Sequence, residues 1–129
     1  MTLERAAEIL VEADPSLDPI LTIGHIDGNL DTTVGIYPDK HAPKDRQICV
    51  GGTEATLSHC TWLTVLIHWT RSPVEAEKRA YELFDALCAV RPRDVSYIDV
   101  SEPIDVYKDD HGIFEYVINI KMHERKEDV

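Results

Sequence analysis

The sequence predicts an α+β fold, a mostly antiparallel sheet packed by two helices. Three observations carry that prediction: two amphipathic helical patterns, several runs that alternate with the period of a strand, and the element order α-β-β-(β)-β-α-β-β. At 129 residues the chain is shorter than a typical domain of roughly 150, so it reads as a single domain over residues 1–129. Hydrophobic residues make up 43% and charged residues 29%, near the averages of soluble globular proteins. Disordered, collagen-like and disulfide-scaffold classes are thereby excluded. The longest apolar run, Leu63 to Trp69, falls well short of the ~20 residues of a bilayer span. Met1-Thr2-Leu3-Glu4-Arg5 carries no basic stretch followed by an apolar one, so a domain made in the cytoplasm is expected.

The first helix is written by Leu3, Ala7, Leu10 and Val11 on one side and Glu4, Glu8 and Glu12 on the other. Asp14-Pro15 stops it, because proline cannot continue the hydrogen-bond ladder. Residues 20 to 26 read as a short strand, Asp27-Gly28-Asn29 as a turn, and Thr33 to Tyr37 as a second strand. Residues 38 to 47 hold Pro38, Pro43 and charged or histidine side chains with little to bury, hence a loop. Ile48-Cys49-Val50 has the composition of a brief strand before Gly51-Gly52.

The strongest strand spans His59 to Thr70. Leu63, Val65, Ile67 and Trp69 alternate onto one face, which must be core, while Cys60, Trp62, Thr64, Leu66 and His68 occupy the other. That second face is too apolar to be left in water and needs cover from this chain or a neighbouring copy. Ser72-Pro73-Val74-Glu75 then supplies a helix start: a capping serine, proline at the first position and a glutamate three residues after the cap. The helix runs to about Ala89 and buries Ala76, Ala80, Leu83, Phe84 and Leu87. A closing β-hairpin follows. Its first arm, Val95 to Tyr107, places Ile98, Val100, Ile104 and Val106 on one face, with a bulge or edge position at Pro103. Its turn is Asp109-Asp110-His111-Gly112. In its second arm Phe114, Tyr116, Ile118, Ile120 and Met122 point inward and Glu115, Asn119, Lys121 and His123 outward. The charged tail, residues 124–129, is expected to fray.

Charge narrows the partners. Thirteen Lys and Arg stand against 24 Asp and Glu, a formal net charge of -11. Gripping nucleic acid needs a basic face, and the cations Lys40, Lys44 and Arg46 are interleaved with Asp39 and Asp45. Cys49, Cys60 and Cys88 form no C-x-x-C pair, so buried free thiols are expected and no metal site is. Cys60 and His68 share a strand face but lie about 27 Å apart at strand rise, too far for one ion. The histidines read as surface or interface residues. No nucleotide-binding, serine-nucleophile or zinc-protease motif occurs. A Cys/His enzyme built from Cys49, His59 or His111 is therefore the weaker alternative, and an acidic adaptor for a basic partner a third. Trp62 and Leu66 on the second strand face have the character of subunit-contact anchors, or else of core under the 38–47 loop.

Several stretches taken together resemble a known family. They are Val34-Gly35-Ile36-Tyr37-Pro38, the polar loop to Gly51-Gly52, the strand ending Trp69-Thr70-Arg71, the helix from Pro73-Val74-Glu75-Ala76-Glu77 through Tyr81-Glu82-Leu83-Phe84-Asp85-Ala86-Leu87, and the segments Glu102-Pro103-Ile104-Asp105 and Lys108-Asp109-Asp110-His111-Gly112-Ile113-Phe114-Glu115-Tyr116. Their order is similar to that of the minor capsid or tail-terminator (head-tail joining) proteins of long-tailed bacteriophages. The resemblance covers about residues 1 to 125 and is weakest at residues 20 to 31. It implies a structural virion protein of the tail-neck region, present in the host cytoplasm during assembly. It implies a ring, typically a hexamer, on the head-proximal end of the tail tube, touching the tube protein and the head connector. DNA would pass the lumen without specific binding, with no enzyme activity, cofactor or membrane involved. Under it Trp62 and Leu66 become candidate ring contacts, and Lys40, Lys44, Asp45 and Arg46 a candidate tube-contact or lumen loop. Another neck or completion role in the same virion is the nearest alternative.

Overall fold

The computed structural model describes residues 1–39 and 58–125. Helix α1 spans Leu3–Ala13, opened by Thr2, whose hydroxyl accepts the Arg5 N–H at 3.1 Å. Asp14 ends it, and Pro15–Leu17 form one 3₁₀ turn that buries Leu17 completely. Strands β1 (Leu21–Ile23), β2 (Thr32–Pro38) and β3 (Ser58–Trp69) lead to helix α2 (Pro73–Ala89). Ser72 caps α2 by accepting the Glu75 N–H at 3.4 Å, and Pro73 takes the first position. At the far end the Arg91 guanidinium donates to the carbonyl oxygens of Cys88 and Val90, at 2.9 and 2.8 Å. Strands β4 (Val95–Val100), β5 (Ile104–Lys108) and β6 (Phe114–Arg125) complete the sheet.

The sheet order is β1-β2-β3-β6-β4, with β5 also paired to β6. Antiparallel β3 and β6 run in one unbroken register from Ser58↔Arg125 to Trp69↔Phe114. Both helices lie on one face of the sheet. There Ile9 and Leu10 of α1 and Ala76, Ala80, Leu83 and Leu87 of α2 cover Val34, Ile36, Leu63, Val65, Ile67, Ile118, Ile120 and Met122. Each fully buried Leu or Ile side chain contributes about 1.5–3 kcal/mol. This packing is the main reason α2 holds its place.

Three features go beyond or against the expectations from sequence. β1 is parallel to β2, Leu21↔Val34 through Ile23↔Ile36, although only residues 24–31 connect them. Gly24 at φ 78° turns the chain, its N–H donating to Ile36 O at 2.8 Å, and the connection crosses the sheet face opposite the helices. The closing hairpin is split. β4 pairs with the second half of β6 and β5 with the first, and the register slips by one residue between Val100↔Ile120 and Ile104↔Val117. A one-residue slip exchanges faces. Ile98 and Val100 therefore pack on the core, whereas Ile104 and Val106 are exposed. Third, the strand continues through Glu124 and Arg125, which were expected to fray. Glu124 is held by the Met1 amino group at 2.7 Å and the Thr61 hydroxyl at 3.1 Å.

Two ion pairs tie α1 to the rest. Arg5 makes a forked contact with Asp94, 2.9 and 2.7 Å. Arg79 of α2, only 9% exposed, donates to Asp14 Oδ2 at 2.7 Å and to Ser16 Oγ at 3.1 Å, with its guanidinium 5.1 Å from the Trp69 ring centre. Burial pushes the Asp14 carboxyl up, but hydrogen bonds from Ser16 and Arg79 outweigh it and hold it below its ordinary value. The hydrogen bonds from Arg5 do the same for Asp94.

Asp14→Ala strands a buried guanidinium and is expected to cost roughly 3 kcal/mol in urea denaturation. Arg79→Met, which removes the charge and keeps the stem, is expected to cost less. Because the Asp14 carboxyl is depressed in the folded chain, its stabilisation is present above the unfolded value of about 3.9. It is lost as the pH falls through the lower folded value. The stability gap between wild type and Asp14→Ala should therefore close on acidification, and a gap that widens in acid would refute the assignment.

Candidate functional site

Among the described residues no helix covers the second sheet face, and strand register arranges its side chains in cross-strand rows. The first row is Cys60, His123 and Tyr97, with Cys60 Sγ 3.4 Å from His123 Nδ1 and the two rings of His123 and Tyr97 5.1 Å apart. Next come Trp62, Lys121 and Asp99, the Lys121 ammonium lying 4.6 Å from the Trp62 ring centre. The third row joins Tyr37, Thr64 and Asn119. The Thr64 hydroxyl donates to Asn119 Oδ1 at 3.2 Å, and the Asn119 N–H to Ser101 Oγ at 2.9 Å.

The fourth row is apolar: Gly35, Leu66, Val117 and Ile104. Ile26, from the β1–β2 connection, reaches over Gly35, where a Cβ would stand 2.7 Å from Ile26 Cγ1. Glycine is what lets this connection lie flat on the sheet. The fifth row is Thr33, His68, Glu115 and Tyr107.

Two electrostatic features mark this face. His68 is 2% exposed, with Nδ1 3.2 Å from Glu115 Oε2 and Nε2 3.7 Å from Asp109 Oδ2. Nε2 itself has no hydrogen-bond partner among the described residues. Asp109 accepts the N–H groups of Ile113 and His111, which hold its carboxyl below the ordinary value, helped by the nearby His68 and His111. Burial, followed by the Glu115 charge, pushes the Tyr37 phenol up. The Trp62 indole N–H is likewise buried, with no hydrogen-bond partner among the described residues. Two ligands at Cys60 and His123 are too few for a metal, and no group of three or more His, Cys, Asp or Glu side chains placed to hold an ion occurs among the described residues.

The arrangement is a broad sheet face with Trp62, an apolar row and a single lysine, Lys121, and it holds no catalytic constellation among the described residues. The family model for the bacteriophage tail terminator protein matches residues 10–124 of this sequence, from the middle of α1 almost to the end of β6. The chain belongs to the bacteriophage tail terminator family. It is a structural protein of the phage tail. No curated protein sequence matches it.

Of the residues singled out from sequence, Trp62 and Leu66 are brought onto one face, half-buried and two rows apart. Lys40, Lys44, Asp45 and Arg46 lie outside the described residues, as do Cys49 and the strand expected at 48–50. His111 is exposed in the β5–β6 turn. His68, read as a surface or interface residue, is instead buried between carboxylates. Cys88, expected to be buried, is exposed on α2, and Cys60 is half-buried. No helix among the described residues is long and apolar enough to cross a membrane.

Sequence reasoning missed Gly35 as the seat of Ile26, and missed Ile104 and Tyr107 as surface residues. The only available signal was Pro103, which marks the slip. Gly35→Ala is expected to destabilise the chain by about 1–3 kcal/mol in thermal or urea unfolding, since overpacking must displace Ile26. Ile26→Ala in the same chain should recover most of that loss, and no recovery would mean that the clash lies elsewhere.

Proposed function

We propose that this chain is the tail terminator itself, a ring of copies, six in number, seated on the head-proximal end of the tail tube. There it stops tube polymerisation and offers the surface that joins the tail to the head connector. The observation that carries the reading is the family match over a sheet that, among the described residues, is clothed by helices on one face only. A ring repeats one heterologous contact until it closes, and each copy must bring an unmatched surface to its neighbour. The face holding Trp62 and Leu66 supplies one. We assign those two side chains to the subunit contact, and Lys40, Lys44, Asp45 and Arg46 to the segment that meets the tube or lines the lumen.

The net charge of -11 suits a channel for DNA. An acidic lumen repels phosphate, so the genome slides through without being gripped. The action proposed is mechanical and needs no catalysis or cofactor. Its partners are further copies of the chain, the tube protein and the connector.

Electron microscopy of a phage lacking this gene tests the reading: filled heads beside detached tails of abnormal length are expected. Normal tails left unjoined to heads would reassign the protein to a completion role in the neck, and normal infectious particles would remove it from the virion. Trp62→Glu is expected to abolish rings while leaving the circular dichroism of the chain unchanged. Intact rings from that variant would exclude Trp62 from the contact.

A further inference from the structure

The sheet is open at its β1 margin, and the alternation of β1 fixes what it presents there. Ile20 O accepts the Val34 N–H at 3.2 Å, and the Gly24 N–H donates to Ile36 O at 2.8 Å. Residues 20, 22 and 24 therefore bond towards β2, and the amide groups of Leu21 and Ile23 point away from the sheet. No strand lies on that outer side among the described residues. The Ile23 carbonyl oxygen is met by His25 Nδ1 at 3.2 Å. The Leu21 and Ile23 side chains, in register with Val34 and Ile36, rise on the side of the helices.

Between this edge and α1 runs an open groove of about 360 Å³. Its floor is Ala7, Val11, Leu21 and Ile23, the last 41% exposed. Glu4, Glu8 and Asp18 form its rim, and no Lys or Arg lines it among the described residues. Neighbouring cations leave that rim negative. Arg5 reaches Glu8 at 3.1 Å but is also held by Asp94 at 2.7 Å, and Arg71 is paired with Asp31 at 3.4 Å. Glu4 and Asp18 make no ion pair among the described residues. Glu12, one turn beyond Glu8 on α1, adds another exposed carboxylate. We propose that this groove binds an extended basic segment of a different protein, which adds a strand to β1 and lays an apolar side chain on the floor between lysine or arginine side chains that reach the rim.

The open amide groups of Leu21 and Ile23 supply the main-chain bonds of an added strand, and an unpaired edge is a template for one. Alternate side chains of that strand face the groove. A lysine or arginine there covers apolar floor with its stem and carries its charge out to a carboxylate. Charge complementarity also decides against a second copy as the occupant. The chain has a net charge of -11. Its exposed β5 margin sets Lys108 among Asp105, Asp109, Glu102 and Asp110, and Asp99 is exposed on β4. Such a margin would bring carboxylates to carboxylates. The proposal goes beyond the ring reading and does not depend on it.

The test titrates the isotope-labelled full chain with the peptide Lys-Thr-Val-Thr-Val-Thr-Lys, blocked at both ends, to millimolar concentration and follows the amide resonances. Shifts centred on Ala7, Val11, Leu21 and Ile23 are expected, with slowed solvent exchange at the Leu21 and Ile23 amides as the mark of an added strand. The same peptide with Glu for Lys should leave these resonances unchanged. Ile23→Arg, at an exposed position, should unfold like wild type and lose the binding. Glu4→Lys combined with Asp18→Lys leaves the floor intact and should weaken binding by roughly tenfold. Glu75→Lys combined with Glu82→Lys, on α2 and outside the groove, should weaken it far less. Undiminished binding by Ile23→Arg, or an equal loss from the α2 variant, would reduce the effect to overall charge and overturn the proposal. Absence of shifts, or shifts without amide protection, would overturn it too. Protection of both amides in the free chain would give the edge to another segment of this chain. The same shifts on concentrating the chain without peptide would give it to a second copy. Either result would overturn the assignment of a basic partner.

Discussion

The pairing of β3 with β6 is the constraint on which the rest of the structure depends. Twelve residues of one strand face twelve of the other in a single register, and strand geometry sends alternate side chains to opposite faces. Leu63, Val65 and Ile67 thereby join Tyr116, Ile118, Ile120 and Met122 under the helices. The same alternation forces Trp62, Leu66 and His68 onto the other side with Val117 and Lys121. Shifting that register by one residue would exchange the two faces wholesale, placing Lys121 in the core and Ile120 outside. The core and the helix-free face are therefore specified together.

Around this spine the connections are fixed by few contacts. α1 shares the core with α2 but is anchored by charge, through Arg79 to Asp14 and Arg5 to Asp94. These pairs set where the α1–β1 edge lies relative to the sheet. At the other margin the slip after Val100 turns β5 over, so that an apolar sequence which would otherwise face the core is presented outward.

How far this was legible in the sequence follows from the physics of each element. Ser72-Pro73 and the spacing of Ala76, Ala80, Leu83 and Leu87 define α2 because capping and periodicity are local. The alternation from Leu63 to Trp69 and from Phe114 to Met122 is local too, so both long strands and the apolar character of the face with Trp62 and Leu66 were readable. Long-range decisions were not. Three residues of β1 cannot declare themselves parallel, and the inversion of Ile104 turns on one extra residue beside Pro103. His68 shares the polar character of the histidines around it, and only its neighbours Glu115 and Asp109, distant in sequence, account for its burial. The family resemblance rested on the order of these local elements, which the match over residues 10–124 supports. Trp62 and Leu66 were readable as members of the second face of their strand, and the structure places both there, half-buried.

The central claim is one of place: a closed ring of this chain on the head-proximal end of the tail. Cryo-electron microscopy of intact tails from the phage that carries the gene tests it most directly. The account predicts a single ring at the head-proximal end into which this sheet fits, with the helix-free face that holds Trp62 and Leu66 buried. Density for the chain along the tube, at the distal tip, or as isolated copies with that face in solvent would contradict it.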